Sequence, residues 1–322
     1  MNKIAALVAG VVFLLLSGIA YSAEKTIVID DAGRSVEIPL KPERIVVLNP
    51  SNLELLYAVG GKAVGRPDSR GIPRELYEKV KGLPSVGQTP NPNVEKIVSL
   101  CPDLLIGINV AFHHAIIPAI DRAGIPFLLL SINSYQDILD KLRFYGALTG
   151  NKDRASEIIA RIEKRVADIK ERVSIHESKR VAIIWGSPES FNMALPSSFV
   201  GNLIDMLGGI NIASGTKPLL GMPQFAPLSM EYLLAKDPDV IFVITHGNDE
   251  KVSKKLIREL EGHPAWKGLR AVREKRLHLL PFELFGVNPA TRVADAIEHI
   301  ARLMYPEIFA ERKGRDIHGT LP

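Results

Sequence analysis

Residues 151–177, NKDRASEIIARIEKRVADIKERVSIHE, constrain the fold more than any other stretch of the chain. Apolar residues recur there at helical spacing and form a narrow stripe, while charged residues occupy the other faces. The stripe consists of Ile158, Ile159, Ile162, Val166, Ile169 and Val173. Nothing in the segment indicates catalysis. We interpret it as one long helix that joins two parts of the chain.

Short apolar strands alternate with helices on both sides of this segment, which is typical of α/β folds with parallel sheets. Asn93–Ile106 and Ser229–Phe242 resemble each other, since each has a Glu-bearing helix, a Pro-Asp turn and an apolar strand. An internal repeat favours two similar lobes. The sequence therefore predicts an α/β fold of two lobes with central, mainly parallel sheets, joined by a single long backbone helix. The predicted limits are 23–150 for the N-terminal lobe, 151–177 for the helix and 178–322 for the C-terminal lobe.

Local patterns predict individual elements within the lobes. Thr26–Ile38 alternates on either side of an Asp-Ala-Gly turn and predicts a hairpin. Ala63–Gly65 predicts a short strand, and His114–Arg122 predicts one helix.

The N-terminus has the pattern of a secretory signal peptide covering residues 1–22. A short basic segment ends at Lys3, the apolar run Ile4–Ala20 follows, and small residues precede a cleavage point after Ser22. An uncleaved membrane anchor is the alternative interpretation. The only cysteine is Cys101, which excludes an intrachain disulfide. No cysteine lies at the cleavage point, so we expect a free periplasmic protein without a lipid anchor.

Charge and motifs exclude several classes of function. The formal net charge is only +4, and basic residues are interleaved with acidic ones. Nucleic-acid binding would require a clustered basic surface. The chain also lacks the GxSxG, HExxH and Gly-rich phosphate-loop motifs of common enzyme classes. We therefore expect neither a nucleic-acid partner nor an enzyme.

Several stretches match, in order and spacing, the helical-backbone (class III) substrate-binding proteins of ABC importers. They are DDAGRSVEIPLKPERIVVLNPSNLELLYAVGG, NVEKIVSLCPDLLIG, DRAGIPFLLL, FVGNLIDMLGG and LSMEYLLAKDPDVIFV. The chain resembles this family over nearly all of its mature length. GSPESF, ITHGNDEKV and ELFGVNPATRVADAIEHIARLMYP further resemble the C-terminal lobe of a haem-binding member. The family takes up iron-siderophores, haem, cobalamin and some free metals.

This resemblance implies a receptor that captures an iron complex, haem or a ferric siderophore, in the cleft between the lobes. The receptor would act as a monomer and deliver its ligand to an ABC permease and ATPase at the inner membrane. It would hold no permanent cofactor, and its transported ligand would be an iron or cobalt complex. A cobalamin receptor of the same family is one alternative. A periplasmic metal-chelate enzyme and a sensor without transport are the others.

The resemblance assigns an axial haem ligand to His246, which follows an apolar strand. The family's second axial ligand, a methionine, matches Pro90 here, and proline cannot coordinate iron. Asn91 lies in the same loop. His113 follows an apolar strand of the first lobe and is a candidate replacement. The alternatives are a strand-end His246 bonded to a backbone carbonyl and a solvated His113 at a helix N-terminus.

The remaining candidate ligand contacts include Trp185, which ends a predicted strand, and Arg66, which follows one. Trp185, Met193 and Phe285 would supply apolar walls, and Arg66 would pair with ligand carboxylates. Ser51, after the strand Arg44–Leu48, completes the set. Core packing is the alternative for the apolar residues, and a solvated loop charge for Arg66.

Glu95 and Glu231 occupy matching places in the two copies of the repeat. In the family, one surface glutamate on each lobe docks onto arginines of the permease. Two acids far apart on a rigid body orient an encounter more than they strengthen it. We therefore predict that Glu95 and Glu231 dock the permease, with ordinary exposed helix residues as the alternative.

Overall fold

The computed structural model describes residues 24–186, 190–245, 258, 264–286 and 288–309. The predicted signal peptide, residues 1–22, lies outside them. Among the described residues, no helix has the length and apolar content that crossing a bilayer requires. The described chain begins with the antiparallel hairpin of β1 (Lys25–Ile29) and β2 (Ser35–Pro39), which confirms the predicted hairpin.

The first lobe contains a parallel sheet of three fully buried strands in the order β3–β6–β7. These strands are β3 (Ile45–Val47), β6 (Leu104–Gly107) and β7 (Phe127–Leu129), and their unbroken apolar runs match burial on both faces. The strand predicted at Ala63–Gly65 is only a single bridge from Gly65 to Val46. The other elements are β4 (Gly87–Gln88), β5 (Asn91–Pro92), α1 (Pro50–Ala58), α2 (Arg74–Val80), α3 (Val94–Ser99), α4 (Ala111–His114), α5 (Ile117–Arg122) and α6 (Tyr135–Leu148).

The single helix predicted over His114–Arg122 is in fact two helices, α4 and α5. Pro118 lies in the first turn of α5. Proline has no backbone N–H to donate to the carbonyl of His114, four residues earlier, so a continuous helical ladder is interrupted there.

The second lobe contains a mixed sheet in the order β11–β9–β8–β12–β13. Its central strands are parallel, and β10 also pairs in parallel with β8, whereas β9 and β11 form an antiparallel edge. The strands are β8 (Arg180–Gly186), β9 (Phe191–Ala194), β10 (Ile210–Asn211), β11 (Phe225–Pro227), β12 (Val240–Thr245) and β13 (Leu277–Leu279). The helices are α8 (Phe199–Met206), α9 (Met230–Lys236), α10 (Arg270–Arg273), α11 (Phe282–Phe285), α12 (Val293–Met304) and α13 (Pro306–Phe309), with 3₁₀ turns at Pro264–Gly268 and Ala290–Arg292.

The long helix α7 (Lys152–Val173) joins the two sheets, as the amphipathic segment predicts. Every residue of the predicted apolar stripe is buried, and α7 packs against α6 on one side and α12 on the other. The helix ends at Val173, four residues before the predicted end. The positions that would continue the stripe are His176 and Glu177, which are polar and exposed, so no apolar burial would stabilise another turn.

Helices α6 and α7 approach each other closely at one point. A Cβ atom added to Gly146 would lie 2.5 Å from the Cβ of Ala155, so only glycine fits at this position. Ala155 is itself buried. This contact seats the long helix on the first lobe.

The two copies of the repeat have the same turn geometry. Cys101 and Asp237, which follow α3 and α9, both have left-handed backbone conformations, with φ of 44° and 39°. Asp103 accepts a hydrogen bond from the backbone N–H of the residue before β3, at 2.9 Å, and Asp239 accepts one from the first residue of β8, at 2.7 Å. Each aspartate therefore fixes the start of its neighbouring strand, and the internal repeat predicted from the sequence is confirmed.

Candidate cleft between the lobes

A cavity lies between the two sheets, at the carboxyl ends of their parallel strands, where ligands of α/β folds usually bind. Ile132, which follows β7, contributes from the first lobe. Trp185 and Ile244, at the ends of β8 and β12, contribute from the second lobe. The remaining lining residues among those described are Ala194, Ser198, Phe199, Val200, Gln224, Phe225, Phe285, Gly286 and Asn288.

Aromatic rings form much of the cavity wall. The rings of Trp185 and Phe225 lie with centroids 5.5 Å apart at an angle of 52°. Phe285, carried by the short helix α11, and Phe199, the first residue of α8, complete the aromatic part of the wall. Trp185 and Phe285 were expected at a ligand-binding wall, and the structure brings both to this cavity.

Met193 does not line this cavity, contrary to our expectation. It pairs across the sheet with Ile184, whereas Trp185 pairs with Asn192. Because side chains alternate between the two faces of a sheet, Met193 lies on the face opposite Trp185. Its side chain is 3% exposed and packs in the core there with Ile184 and Ala226.

Ser51 and Glu54 connect the lobes beside the cavity. The hydroxyl of Ser51, an expected ligand contact, donates to the backbone carbonyl of Asn288 at 2.9 Å. Glu54 accepts a hydrogen bond from Thr291 at 2.7 Å and pairs with Arg292 at 3.4 Å. Burial raises the pKa of Glu54, and the nearby guanidinium of Arg292 offsets only part of that effect.

Two further hydrogen bonds join the lobes on the side of α6 and α8. The backbone N–H of Tyr135 donates to the side-chain oxygen of Asn202 at 2.9 Å. The side-chain amide of Gln224 donates to that of Asn133, also at 2.9 Å. Direct polar contacts therefore supplement the long helix in fixing the lobes relative to each other.

His113 is buried and has a structural role in place of the expected ligand role. Its Nδ1 accepts from the backbone N–H of Ile108 at 2.9 Å, and its Nε2 donates to the carbonyl of Thr89 at 3.0 Å. Both ring nitrogens are thus occupied, so neither is available to coordinate iron. Burial lowers the pKa of His113, which keeps the ring neutral.

Arg66 is directed toward its own loop. Its guanidinium donates to the carbonyls of Val80 and Pro67, both at 3.1 Å, and lies 5.5 Å from the ring centre of Tyr77. These contacts fix the loop between the bridge at Gly65 and α2. The expected pairing with ligand carboxylates would have to compete with them.

Pro90 lies in the exposed turn between β4 and β5, and Asn91 is the exposed first residue of β5. Neither belongs to the described lining of the cavity. The contact from His113 to Thr89 holds this turn against α4.

His246 lies outside the described residues, so its assignment as an axial ligand stays a prediction. Within the described ranges, no three or more His, Cys, Asp and Glu side chains are grouped so as to hold a metal ion.

Glu95 and Glu231 are exposed and hold the same position in their helices, the second residue of the first turn. The preceding caps also correspond: Asn93 accepts from the backbone N–H of Lys96 at 2.9 Å, and Ser229 accepts from that of Tyr232 at 3.1 Å. The repeat therefore presents one first-turn carboxylate on each lobe.

Sequence reasoning missed several residues of the cleft. Phe199 has the pattern of a helix core residue, and the position of Gln224 depends on the antiparallel pairing of β11 with β9. Asn288 contacts Ser51, and Glu54 contacts Thr291, only because the lobes are in contact. The one available signal was the Asn-Pro-Ala-Thr-Arg run at 288–292, whose polar residues precede the last long helix.

Comparison with known proteins places the chain in a family. The model of the family described as "Periplasmic binding protein" matches residues 45–284. A probable siderophore-binding lipoprotein of Bacillus subtilis, YfiY, is 30% identical over 292 residues, covering 86% of this chain and 88% of that protein. A cobalamin-binding protein of Halobacterium salinarum is 31% identical over 216 residues, covering 66% of this chain and 56% of that protein.

Solved structures share the fold. Staphylococcus aureus IsdE complexed with haem superposes with a TM-score of 0.71 at 23% identity, covering 81% of this chain and 98% of that one. We conclude that the chain belongs to the periplasmic binding protein family and is a substrate-binding protein of a transport system, not an enzyme.

Proposed function

We propose that the protein captures an iron or cobalt complex in the cavity between its lobes and delivers it to an ABC permease and its ATPase. The observation that carries this proposal is the aromatic wall at the carboxyl ends of the parallel strands. Large chelates and macrocycles bind through such apolar surfaces, with a few polar groups to orient them. Relatives named for binding siderophores and cobalamin support the same class of ligand.

Ligand capture requires little relative movement of the lobes. Bending α7 would break backbone hydrogen bonds, and the contacts of Ser51 and Glu54 across the cleft would also have to separate. Free and loaded forms should therefore differ by a small closure. Small-angle scattering of both forms would test this, and a large hinge rotation on binding would contradict it.

The two tryptophans of the chain allow a direct binding test. Trp185 lines the cavity, whereas Trp266 is 2% exposed and buried in a separate core cluster. Trp266→Phe leaves Trp185 as the only indole, and Trp185→Phe is the matched control. Haem, cyanocobalamin and ferric chelates should quench the first variant more strongly than the second, because the indole of Trp185 would contact the bound ligand whereas that of Trp266 is buried away from it. Equal quenching of both variants, or of neither, would reject this cavity as the binding site.

The proposed role of His246 as an axial ligand has a separate test, in the experiment with haem. If His246 coordinates haem iron, His246→Ala should remove or strongly shift the Soret band. An unchanged band would reject that role without affecting the cavity assignment.

Delivery is proposed to involve Glu95 and Glu231. Replacing either glutamate with lysine should weaken binding to the permease in proteoliposomes by about tenfold or more, because the introduced lysine would face a like charge on the permease. Glu75, an exposed acid in the first turn of α2, supplies the matched control. Equal effects of Glu75→Lys and Glu95→Lys would show non-specific charge steering. Ligand affinity should be the same in all three variants.

The proposed setting is the periplasm, with the protein acting as a monomer. The basic and apolar segments of residues 1–22 support export. Fractionation of cells that express the full chain, combined with mass measurement of the mature N-terminus, distinguishes cleavage after Ser22 from a retained anchor.

A further inference from the structure

Residues 288–292 of the second lobe, which we call the wall segment, contact both the cavity and the first lobe. Asn288, at the start of the wall segment, lines the cavity. Its backbone carbonyl accepts a hydrogen bond from Ser51 of α1 at 2.9 Å. The other end contacts the carboxylate of Glu54 on the same helix, through the hydroxyl of Thr291 at 2.7 Å. Movement of the wall segment would therefore change the cavity wall and the contact between the lobes together.

The backbone of the wall segment is strained at one residue. Ala290 has a φ of 48°, in the left-handed region, which crowds the Cβ atom of every residue except glycine. Its side chain is nevertheless completely buried. A strained conformation of this kind persists only where the surrounding structure holds it in place. The wall segment therefore depends on contacts with its neighbours.

Two buried donors of the wall segment also lack partners among the described residues. They are Nδ2 of Asn288 and Nε of Arg292. A buried N–H group without an acceptor is unfavourable. Within the segment, the side-chain oxygen of Asn288 accepts from the backbone N–H of Ala290, and the N–H of Arg292 donates to the carbonyl of Pro289, both at 2.9 Å. These internal bonds leave the segment incompletely satisfied, so its conformation requires a restraint from outside.

Helix α1 of the first lobe supplies such a restraint. It packs against the 3₁₀ turn of the wall segment, and its residues Ser51 and Glu54 are both buried. Glu54 accepts from Thr291 and pairs with the guanidinium of Arg292. Hydrogen bonds to a charged carboxylate are stronger than those between neutral groups. The first lobe thus holds a strained part of the cavity wall that belongs to the second lobe.

We propose, on the basis of the function proposed above, that Ser51 and Glu54 are positioning residues for ligand binding. They hold the wall segment in its strained conformation and thereby keep Asn288 at the cavity wall. When α1 separates from the wall segment, Ala290 relaxes, Asn288 leaves the wall and the ligand dissociates faster. Contact between the lobes and retention of the ligand are therefore coupled through the backbone at one residue.

The test measures ligand dissociation with Trp185 as the reporter. The Trp266→Phe protein is loaded with haem, cyanocobalamin or a ferric trihydroxamate and mixed with an excess of the Trp185→Phe protein, which takes up the released ligand. Recovery of fluorescence then gives the dissociation rate. Ser51→Ala with Thr291→Val removes a donor from each contact with the wall segment. This double variant should raise the dissociation rate at least about tenfold and change the association rate by less than about twofold.

A glycine at position 290 distinguishes positioning from a general role in joining the lobes. Glycine adopts the left-handed conformation without strain, so the wall segment no longer requires the first lobe to hold it. Ala290→Gly, added to the double variant, should return the dissociation rate to within about threefold of the natural rate. Lys275→Gly is the matched control, because Lys275 also has a positive φ, 56°, but lies in an exposed turn between α10 and β13. It should leave the fast dissociation of the double variant unchanged.

Thermal midpoints without ligand serve as folding controls for these variants. If the double variant melts below the assay temperature, Thr291→Val alone replaces it and should show the same rescue by Ala290→Gly.

An unchanged dissociation rate in the double variant would overturn the inference. So would a faster rate that Ala290→Gly does not restore, or that Lys275→Gly restores equally well. These results would leave the proposed function intact. Failure of the natural protein to bind any of the probes would instead overturn the proposed function itself.

Discussion

The close contact of Gly146 with Ala155 gives a quantitative test of how the long helix is seated. A methyl group at position 146 would lie 2.5 Å from the Cβ of Ala155. Non-bonded carbon atoms prefer about 3.5–4.0 Å, so Gly146→Ala would force α6 and α7 apart by about 1 Å. Such overpacking costs about 1–3 kcal/mol.

Helix propensity acts in the opposite direction. Alanine is favoured over glycine inside a helix by about 1 kcal/mol. If the helices were not in tight contact, Gly146→Ala would therefore stabilise the protein. With the observed contact, we expect a net loss of about 1–2 kcal/mol in the free energy of unfolding, since the clash exceeds the gain in propensity.

A double variant separates the two effects. Ala155→Gly alone should cost about 2 kcal/mol, from propensity and the loss of a buried methyl group. Gly146→Ala combined with Ala155→Gly moves the methyl group from one helix to the other and cancels both terms. The double variant should come within about 0.5 kcal/mol of the natural protein, which corresponds to a coupling energy of about 3 kcal/mol.

Urea unfolding followed by far-ultraviolet circular dichroism measures all four proteins under one set of conditions. A Gly146→Ala variant more stable than the natural protein would refute the close packing of α6 on α7. A double variant whose loss equals the sum of the single losses would do the same.

Three other predictions concern charged and titrating groups. Burial raises the pKa of Glu54, so the folded state binds this proton more tightly than the unfolded state. The resulting stabilisation is complete below the usual pKa of 4.5 and is lost as the pH rises through the pKa of the folded state. Over that pH range, urea titrations should show Glu54→Gln gaining stability relative to the natural protein. Burial lowers the pKa of His113, so the contribution of its neutral ring to the free energy of unfolding is complete above pH 6.5 and is lost as the pH falls. His113→Ala should therefore lower the free energy of unfolding by about 2–4 kcal/mol at pH 7.5 and by less in acid. A difference that does not depend on pH would contradict this. Arg165 bridges Asp295 and Glu298 from an exposed position, so Arg165→Ala should cost less than about 1 kcal/mol, and a larger loss in the thermal midpoint at high salt would contradict a purely ionic role.

The sequence predicts the long helix and the internal repeat because both depend on interactions between residues that are close along the chain. The apolar stripe of α7 and the Pro-Asp turns at Asp103 and Asp239 are examples, since each depends on neighbours along the chain. The sequence predicts the end of α7 at residue 177 instead of Val173, because highly exposed residues such as Ile175 do not pack in the core and so do not mark where the helix ends. Helix ends are commonly misplaced by a few residues for this reason.

The sequence predicts Trp185 and Phe285 at the cavity wall, but it does not predict Phe199, Gln224 or Asn288 there. Met193 was assigned to the wall because strand polarity and register across β8 and β9 are not encoded in the local pattern. The sequence predicts His113 as a ligand of the metal because its sequence neighbours do not show that the backbone carbonyl of Thr89, 24 residues earlier, accepts a hydrogen bond from its ring. Long-range pairing, not residue type, decided these cases.

The matched turns of the repeat also provide one labelling position on each lobe, between which a distance can be measured. Cys101 is exposed and is the only thiol of the chain, so a maleimide probe would attach at one position without prior mutagenesis. Lys236, exposed beside the equivalent turn of the second lobe, can be replaced by cysteine to carry a second spin label. The distance between the two labels would measure the angle between the lobes in solution. Its distribution, narrow or broad, would report how firmly one helix and a few hydrogen bonds fix that angle.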